Sequence, residues 1–336
     1  MPLRFKEGPN EARLGKSLPP LAVPMLNAFT VDVEDYYHVQ SFADRIDPRD
    51  WDNHQSRVES NTHCVLRILE EYCVRGTFFI LGWVADRFPR LVRDIQAAGH
   101  EIGCHGFWHR PIYHMTPEAF REDLLLGSKA IEEITGRPTV AFRAPSFSIT
   151  KRSLWALDVL MEEGYRYDSS IFPVHHDNYG IPNAERFPHR IEKNGRTLWE
   201  FPPTVHRVSK INIPVAGGGY FRLYPAWLSI RWLGGVNRRH QQPFVFYIHP
   251  WELDPDQPRL PGSVRSRFRH YQNLRSTKRK LCKLLESFQF GTLTESLDRL
   301  RPVPPVRSYA ASPEPDSPAD KSPRTGPRVE MPSGSH

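Results

Sequence analysis

Four short stretches of this 336-residue chain concentrate side chains able to carry out hydrolysis. In Thr30-Val31-Asp32-Val33-Glu34-Asp35, strand periodicity puts Asp32 and Glu34 on one face with Asp35 just past the end, so three carboxylates crowd one rim. Such a cluster calls for a cation or an arginine among the charges, although a helix N-cap or a solvated turn uses the same residues. The second stretch, Cys104-His105-Gly106-Phe107-Trp108-His109, holds two histidines at i and i+4. On one helical turn that spacing aims both imidazoles at one point, a geometry suited to a divalent metal. Histidines at this spacing also arise by chance in a chain with 15 of them; the position directly after an apolar strand is what favours ligands. His114 is either a partner behind them or uninvolved. The third stretch is Phe142-Arg143-Ala144-Pro145, whose arginine can pair with Asp32 and favour the ionised form a general base needs; an ordinary surface arginine before proline is the plain alternative. In the fourth, His249 closes the apolar run Phe244–Ile248, as a chemical group or as a core histidine bonded to backbone.

Together the four fit one reaction. Two histidines and a carboxylate hold a divalent ion with positions left for water and a carbonyl oxygen. Asp32 takes the water proton, His249 protonates the leaving nitrogen, and the bond broken is an amide.

The elements that must position these residues alternate. Strands are expected at 26–35, in Thr77-Phe-Phe-Ile-Leu-Gly-Trp83, at 100–105, in Thr139–Pro145 and in Tyr165–Phe172. Helices are expected between them, among them one capped by Thr116, opened by Pro117 and stopped by Gly136. This rhythm implies parallel strands, in a doubly wound sheet or a barrel, and both keep polar site residues at the C-terminal strand ends. After 185 the rhythm breaks into a hairpin turning at Asn194-Gly195, a helix near 223–239 and a strand at 243–248.

Composition narrows the class. With 39% hydrophobic and 12% aromatic residues the chain can build a sizeable core. No apolar run reaches the roughly 18 residues of a membrane span, and the first 20 residues lack the apolar stretch of a secretory signal, so export is not expected. Four cysteines without a C-x-x-C pair read as thiols of a reducing compartment. The net charge is +7, and nine Lys or Arg with no acid fall in 259–283. That segment suits nucleic acid, an anionic membrane surface or an acidic glycan, or is simply a solvated helix face. Gly217–Gly219 reads as an anion-holding nest or a flexible turn. Residues 1–24 and the Pro-rich 301–336 are expected to be disordered.

The ordered motifs TVDVED, HGFWH, FRAP, DSS and YIHP resemble those of the polysaccharide deacetylases, carbohydrate esterases that include the nodulation chitooligosaccharide deacetylases. The resemblance covers about 26–252. It implies a distorted (β/α) barrel with fewer than eight regular units, zinc or a similar divalent metal, and removal of N-acetyl groups from sugars such as N-acetylglucosamine. Carried over by position, Asp32 is the base, His105 and His109 are metal ligands, Arg143 is the partner of the base and His249 is the acid. The opening DVEDYYHV, GGGYFRL at 217–223 and RHYQNL at 269–274 further resemble deacetylases of exosortase-linked exopolysaccharide loci. That implies a biosynthetic glycan or its precursor handled at the cytoplasmic face of the membrane. Peripheral contact with anionic lipid or with other exopolysaccharide-synthesis proteins then follows, and nucleic acid does not.

The chain departs from the family in its spaced acids, so the metal carboxylate is Glu34 or Asp35, Glu34 being favoured by the face it shares with Asp32. It also has Ser146 where the family has an aromatic residue, and no tryptophan after Asp168. The expected organisation is a catalytic domain at 25–252 and a basic C-terminal helical extension at 253–300. The rival functions are a small cyclic-amide or ureide hydrolase of the allantoinase type and a glycan-binding protein with a degenerate site.

Overall fold

The computed structural model describes residues 25–304 and 306–309. The segment 1–24 and most of the Pro-rich tail, both expected to be disordered, lie outside the described residues. The strands are β1 (Leu26–Val33), β2 (Thr77–Ile80), β3 (Glu101–Cys104), β4 (Ala141–Phe142), β5 (Tyr167–Asp168), β6 (His189–Lys193), β7 (Arg196–Glu200), β8 (Val205–Val208), β9 (Ile211–Pro214), β10 (Val245–Ile248), β11 (Gln289–Gly291) and β12 (Val306–Arg307). The α-helices are α1 (Val58–Glu71), α2 (Gly82–Arg87), α3 (Pro89–Ala97), α4 (Pro117–Thr135), α5 (Ala156–Glu162), α6 (Gly218–Leu223), α7 (Ala226–His240), α8 (Val264–Tyr271), α9 (Leu274–Ser287) and α10 (Leu293–Asp298).

Strands β10-β1-β2-β3-β4-β5-β7 run parallel in that order, with helices returning the chain between successive strands from β1 to β5. The next unit is a hairpin. Its turn residues Asn194 and Gly195 take φ of 52° and 74°, the pair of left-handed conformations that matches strand twist. Between β7 and β10 a hydroxyl and one bridge join the two sides. Thr204 Oγ1 donates to Val245 O and accepts from Val245 N, each at 2.9 Å, and Gly217 bridges Tyr247. This is the distortion of the barrel. A Cβ on Gly217 would lie 1.8 Å from Tyr247 O, so close backbone approach, rather than anion binding, explains that glycine.

Several expectations need correction. The strands around residues 141 and 167 are only two residues long: a 3-10 turn opens at Pro145, three residues past the end of one, and the Ser169–Ser170 hydroxyls bond Phe201 O and Asp168 after the other. The basic stretch is two helices, broken at Asn273 with φ 55°. The region expected as a C-terminal helical extension, 253–300, packs onto the barrel. β11 pairs with the start of β1, and Leu293, Leu297 and Leu300 pack on Ala28, Phe79, Ala141, Phe201 and Val245, forming a second apolar cluster. α10, closed by a reciprocal Thr292–Glu295 capping box, is too short for its periodicity to announce a role in the core. The Pro-rich region also begins ordered, since β12 pairs with β6 and Tyr309 Oη meets His189 Nε2 at 3.0 Å.

α4 forms as its sequence dictates: Thr116 Oγ1 accepts from Ala119 N, Pro117 opens the helix and Gly136 ends it at φ 66°. The four cysteines are free thiols, Cys104 being buried. Among the described residues no helix is long and apolar enough to cross a membrane.

Candidate active site

Asp32, Glu34, His105, His109, Arg143 and His249 meet at one rim of the barrel, where β1, β3, β4 and β10 end. Ligand atoms of Glu34, His105 and His109, all buried, lie within 4.8 Å of one another. His105 Nδ1 is 2.8 Å from the carbonyl of Arg143, which fixes Nδ1 as the protonated nitrogen and leaves the Nε2 lone pair for a ligand. Burial lowers the His105 pKa to about 4, so the ring is neutral, as coordination requires. Glu34 Oε2 has no hydrogen-bond donor other than the His109 ring, whose Nε2 is 2.7 Å away. Burial opposes ionisation of Glu34, but His109, His249 and His105 outweigh it and hold the carboxyl below its usual range. A buried carboxylate oxygen beside two imidazoles, one with its tautomer set from behind, fits a divalent cation by the chemistry of its donors.

The spacing argument for the two histidines succeeds for a different reason from the one expected. Residues 105–110 form a loop, with Gly106 at φ 73° and His109 at φ 52°. Loop curvature, instead of a helical turn, brings the rings together. Asp35 resolves as structural: its Oδ2 accepts from Ser56 Oγ (2.8 Å) and from the amides of Arg57 (2.7 Å) and Val58 (3.0 Å), capping the start of α1. Glu34 is therefore the carboxylate beside the histidines.

Arg143 is fully buried. Its Nη1 donates to Asp32 Oδ1 and to Thr30 Oγ1, both at 2.7 Å, its Nη2 donates to Ser169 Oγ at 2.9 Å, and the guanidinium lies 4.3 Å from the Phe79 ring centroid. Held this way it fixes one oxygen of Asp32. The other, Oδ2, is 3.9 Å from His249 Nε2. Directly after this motif, Ser146 and Phe147 are consecutive non-glycine residues at φ 55° and 52°, a costly conformation of the kind that clusters at functional sites.

Sequence reasoning missed the group behind His249. Glu252 Oε1 is 2.8 Å from His249 Nδ1 and also accepts from the His249 amide at 3.0 Å, while Glu252 Oε2 accepts from Arg222 Nε at 2.6 Å. Burial would lower the His249 pKa, yet Glu252 above all, with Glu34 and Asp32, raises it to about 9. The i, i+3 spacing of His249 and Glu252 around Pro250 was the available signal. Arg222, buried and 30 residues earlier, offered none.

Asp168, of the DSS motif, faces Glu200 across β5 and β7. Burial raises Asp168 to about 6 and, together with the neighbouring Asp168 carboxyl, pushes Glu200 well above its usual range, so the two share a proton. A cavity of about 540 Å³ opens over the rim, with Phe147, Tyr179, Tyr220, Leu223 and Phe268 in its walls.

With this geometry in hand, the similarities are informative. Residues 50–167 match the family model Polysaccharide deacetylase, and residues 169–298 match a domain of unknown function, DUF3473. Residues 50–167 thus carry a polysaccharide deacetylase domain, followed directly by the DUF3473 domain. It is 27% identical over 113 residues to the peptidoglycan deacetylase of Helicobacter pylori, covering 34% of this chain and 37% of that protein. It is 29% identical over 135 residues to a peptidoglycan-N-acetylglucosamine deacetylase of Bacillus cereus, covering 40% and 61%. It is 37% identical over 87 residues to the chitooligosaccharide deacetylase of Azorhizobium caulinodans, covering 26% and 41%. The chain thus spans only 37% to 61% of the length of these relatives. In fold it is similar to a Mycobacterium smegmatis protein assigned to the polysaccharide deacetylases (TM-score 0.53, 21% identity, 84% of this chain and 94% of that one). It is likewise similar to the Puue allantoinase (TM-score 0.54, 15% identity, 84% and 93%). Both define the architecture as the (β/α) barrel of this fold.

Proposed function

We propose that the protein is a metal-dependent hydrolase that removes N-acetyl groups from a polysaccharide or its precursor during exopolysaccharide biosynthesis. The observation that carries the reading is the convergence of Glu34, His105 and His109 beside an Arg143-held Asp32 and a Glu252-held His249. The polysaccharide deacetylase domain match and the names of the relatives, deacetylases of peptidoglycan, of peptidoglycan N-acetylglucosamine and of chitooligosaccharides, support the substrate class.

A divalent ion, zinc in the first instance, held by Glu34, His105 and His109 would supply electrophilic polarisation of the acetamide carbonyl. Asp32, fixed through Oδ1 by Arg143, receives the proton of the attacking water at Oδ2. His249, carrying its proton at neutral pH, delivers it from Nε2 to the departing amine, giving free amine and acetate. Phe147 N already donates to Ala144 O, so the amide of Ser146 is the candidate donor to the carbonyl oxygen from this loop. The aromatic cavity walls offer faces on which sugar rings can stack.

The test is acetate release from N-acetylglucosamine oligomers and from an acetylated exopolysaccharide, using chelator-stripped protein resupplied with zinc or cobalt. Release that returns with metal and disappears in Asp32→Asn establishes the activity. Full metal loading without release from any glycan would refute it in favour of a small cyclic-amide substrate or a binding role.

A further inference from the structure

We infer that the mouth of the cavity is a docking surface for an anionic membrane, with α8 as its contact element. In a soluble helix of this size the apolar residues turn inward, yet α8 (VRSRFRHY) buries only His270. Its Val264 is 86% exposed and its Phe268 63% exposed, one turn apart on the same face. Exposed Arg265, Arg267 and Arg269 stand among them. Leu223, exposed at the end of α6, shares the cavity wall with Phe268, and Trp227 is exposed at the start of α7.

Large apolar side chains set among arginines around one opening match the two layers of a lipid surface, anionic headgroups outside and acyl chains beneath. A sugar polymer alone gives no partner for Val264. Charge complementarity extends beyond α8. Between 259 and 283 there is no acidic residue, and Arg275, Lys278, Arg279 and Lys283 of α9 are exposed. Lys280 is the exception in that row: its Nζ donates to the carbonyls of Arg222 (2.6 Å) and Tyr224 (2.9 Å), so it holds the α6 end in place. α8 itself is anchored from below by His270, which stacks 4.2 Å from Trp251 and bonds Gln257 at 2.7 Å. Trp251 Nε1 in turn donates to Glu34. The docking element therefore rests on the floor of the active site, and docking would turn the cavity toward substrate held at the membrane.

The inference does not depend on the proposed reaction, because it is tested without substrate. Full-length protein is co-sedimented with vesicles of phosphatidylcholine alone and of phosphatidylcholine with phosphatidylglycerol, at two salt concentrations. Binding to the anionic vesicles alone, weakening with salt, is expected. Arg267→Glu should reduce it by more than about tenfold, since each basic residue near such a surface is worth roughly fivefold. Val264→Ser with Phe268→Ser should reduce it by a similar factor while circular dichroism and Tm stay unchanged. Equal binding by wild type and both variants would overturn the inference. So would capture by a soluble acidic polysaccharide in place of vesicles, or a monomer–dimer shift in the serine variant with vesicle binding intact, which would make the face a dimer contact.

Discussion

The first half of the barrel, from β1 to β5, and the second half, from β6 to α10, build one site by different means. In the first, the chemical groups other than the loop-borne His109 sit at or just after the end of a strand, so the backbone sets their direction: Asp32 and Glu34 from β1, His105 after β3, Arg143 after β4. In the second, the strand rhythm gives way to hairpins and to helices that no longer alternate with parallel strands, and only His249 follows that rule. What orients His249 is Glu252, three residues on in the same capping box, and tertiary packing enters through Arg222 beneath Glu252. The comparison teaches that regular βα units fix most of the candidate site groups, while the irregular half supplies the carboxylate behind His249 and much of the cavity wall.

This division can be broken first at the base. Asp32→Asn should retain metal and lose turnover by about 10²–10⁴-fold, the range for removing a positioned acid–base group. His105→Ala should lose both; metal analysis beside acetate release separates the two, and equal metal contents would contradict the assignment. The second half is expected to be integral to the core: Leu293→Ala, in the cluster with Phe79 and Phe201, should destabilise the protein by about 2–5 kcal/mol in urea unfolding. A variant of unchanged stability would restore the idea of an appended extension.

Glu252→Gln sharpens the comparison from the other side. Metal content should remain at wild-type level while kcat falls by roughly 10–100-fold, the usual cost of losing an orienting partner. The pH profile carries the sign. An acid works only while protonated, Glu252 is the largest contributor raising His249 to about 9, and its removal should move the alkaline loss of activity to lower pH.

The smallest effect belongs to the pair that joins the halves, Asp168 on β5 and Glu200 on β7. Both carboxyls are raised, so the folded state binds more protons than the unfolded chain and stability falls as pH climbs from about 4. Glu200→Gln removes a titrating group and keeps a donor for Asp168. Its stability relative to wild type should therefore rise between pH 5 and pH 8, by on the order of 1 kcal/mol, read from urea midpoints at each pH.

The site was legible in the sequence wherever chemistry is local to a strand end. Asp32, His105, His109, Arg143 and His249 each declare themselves by type and by the apolar run before them, and the βα rhythm from 26 to 168 implies the parallel strands. Three things were not legible. The choice of Glu34 over Asp35 depends on the Ser56–Val58 donors more than 20 residues away. The support that Arg222 gives Glu252 behind His249 depends on a buried ion pair spanning 30 residues. The place of 289–300 depends on pairing with β1 and on an apolar face of Ala28, Phe79, Ala141, Phe201 and Val245 that exists only once the strands have assembled.

Sequence alone determined the candidate site residues and the repeating units that present them, because residue type and period act over a few residues. Tertiary structure alone decided which acid stands beside the histidines, what holds Glu252 behind His249 and how the barrel is completed. Those outcomes rest on contacts between segments far apart in the chain, whose energies appear only when burial removes water from both partners.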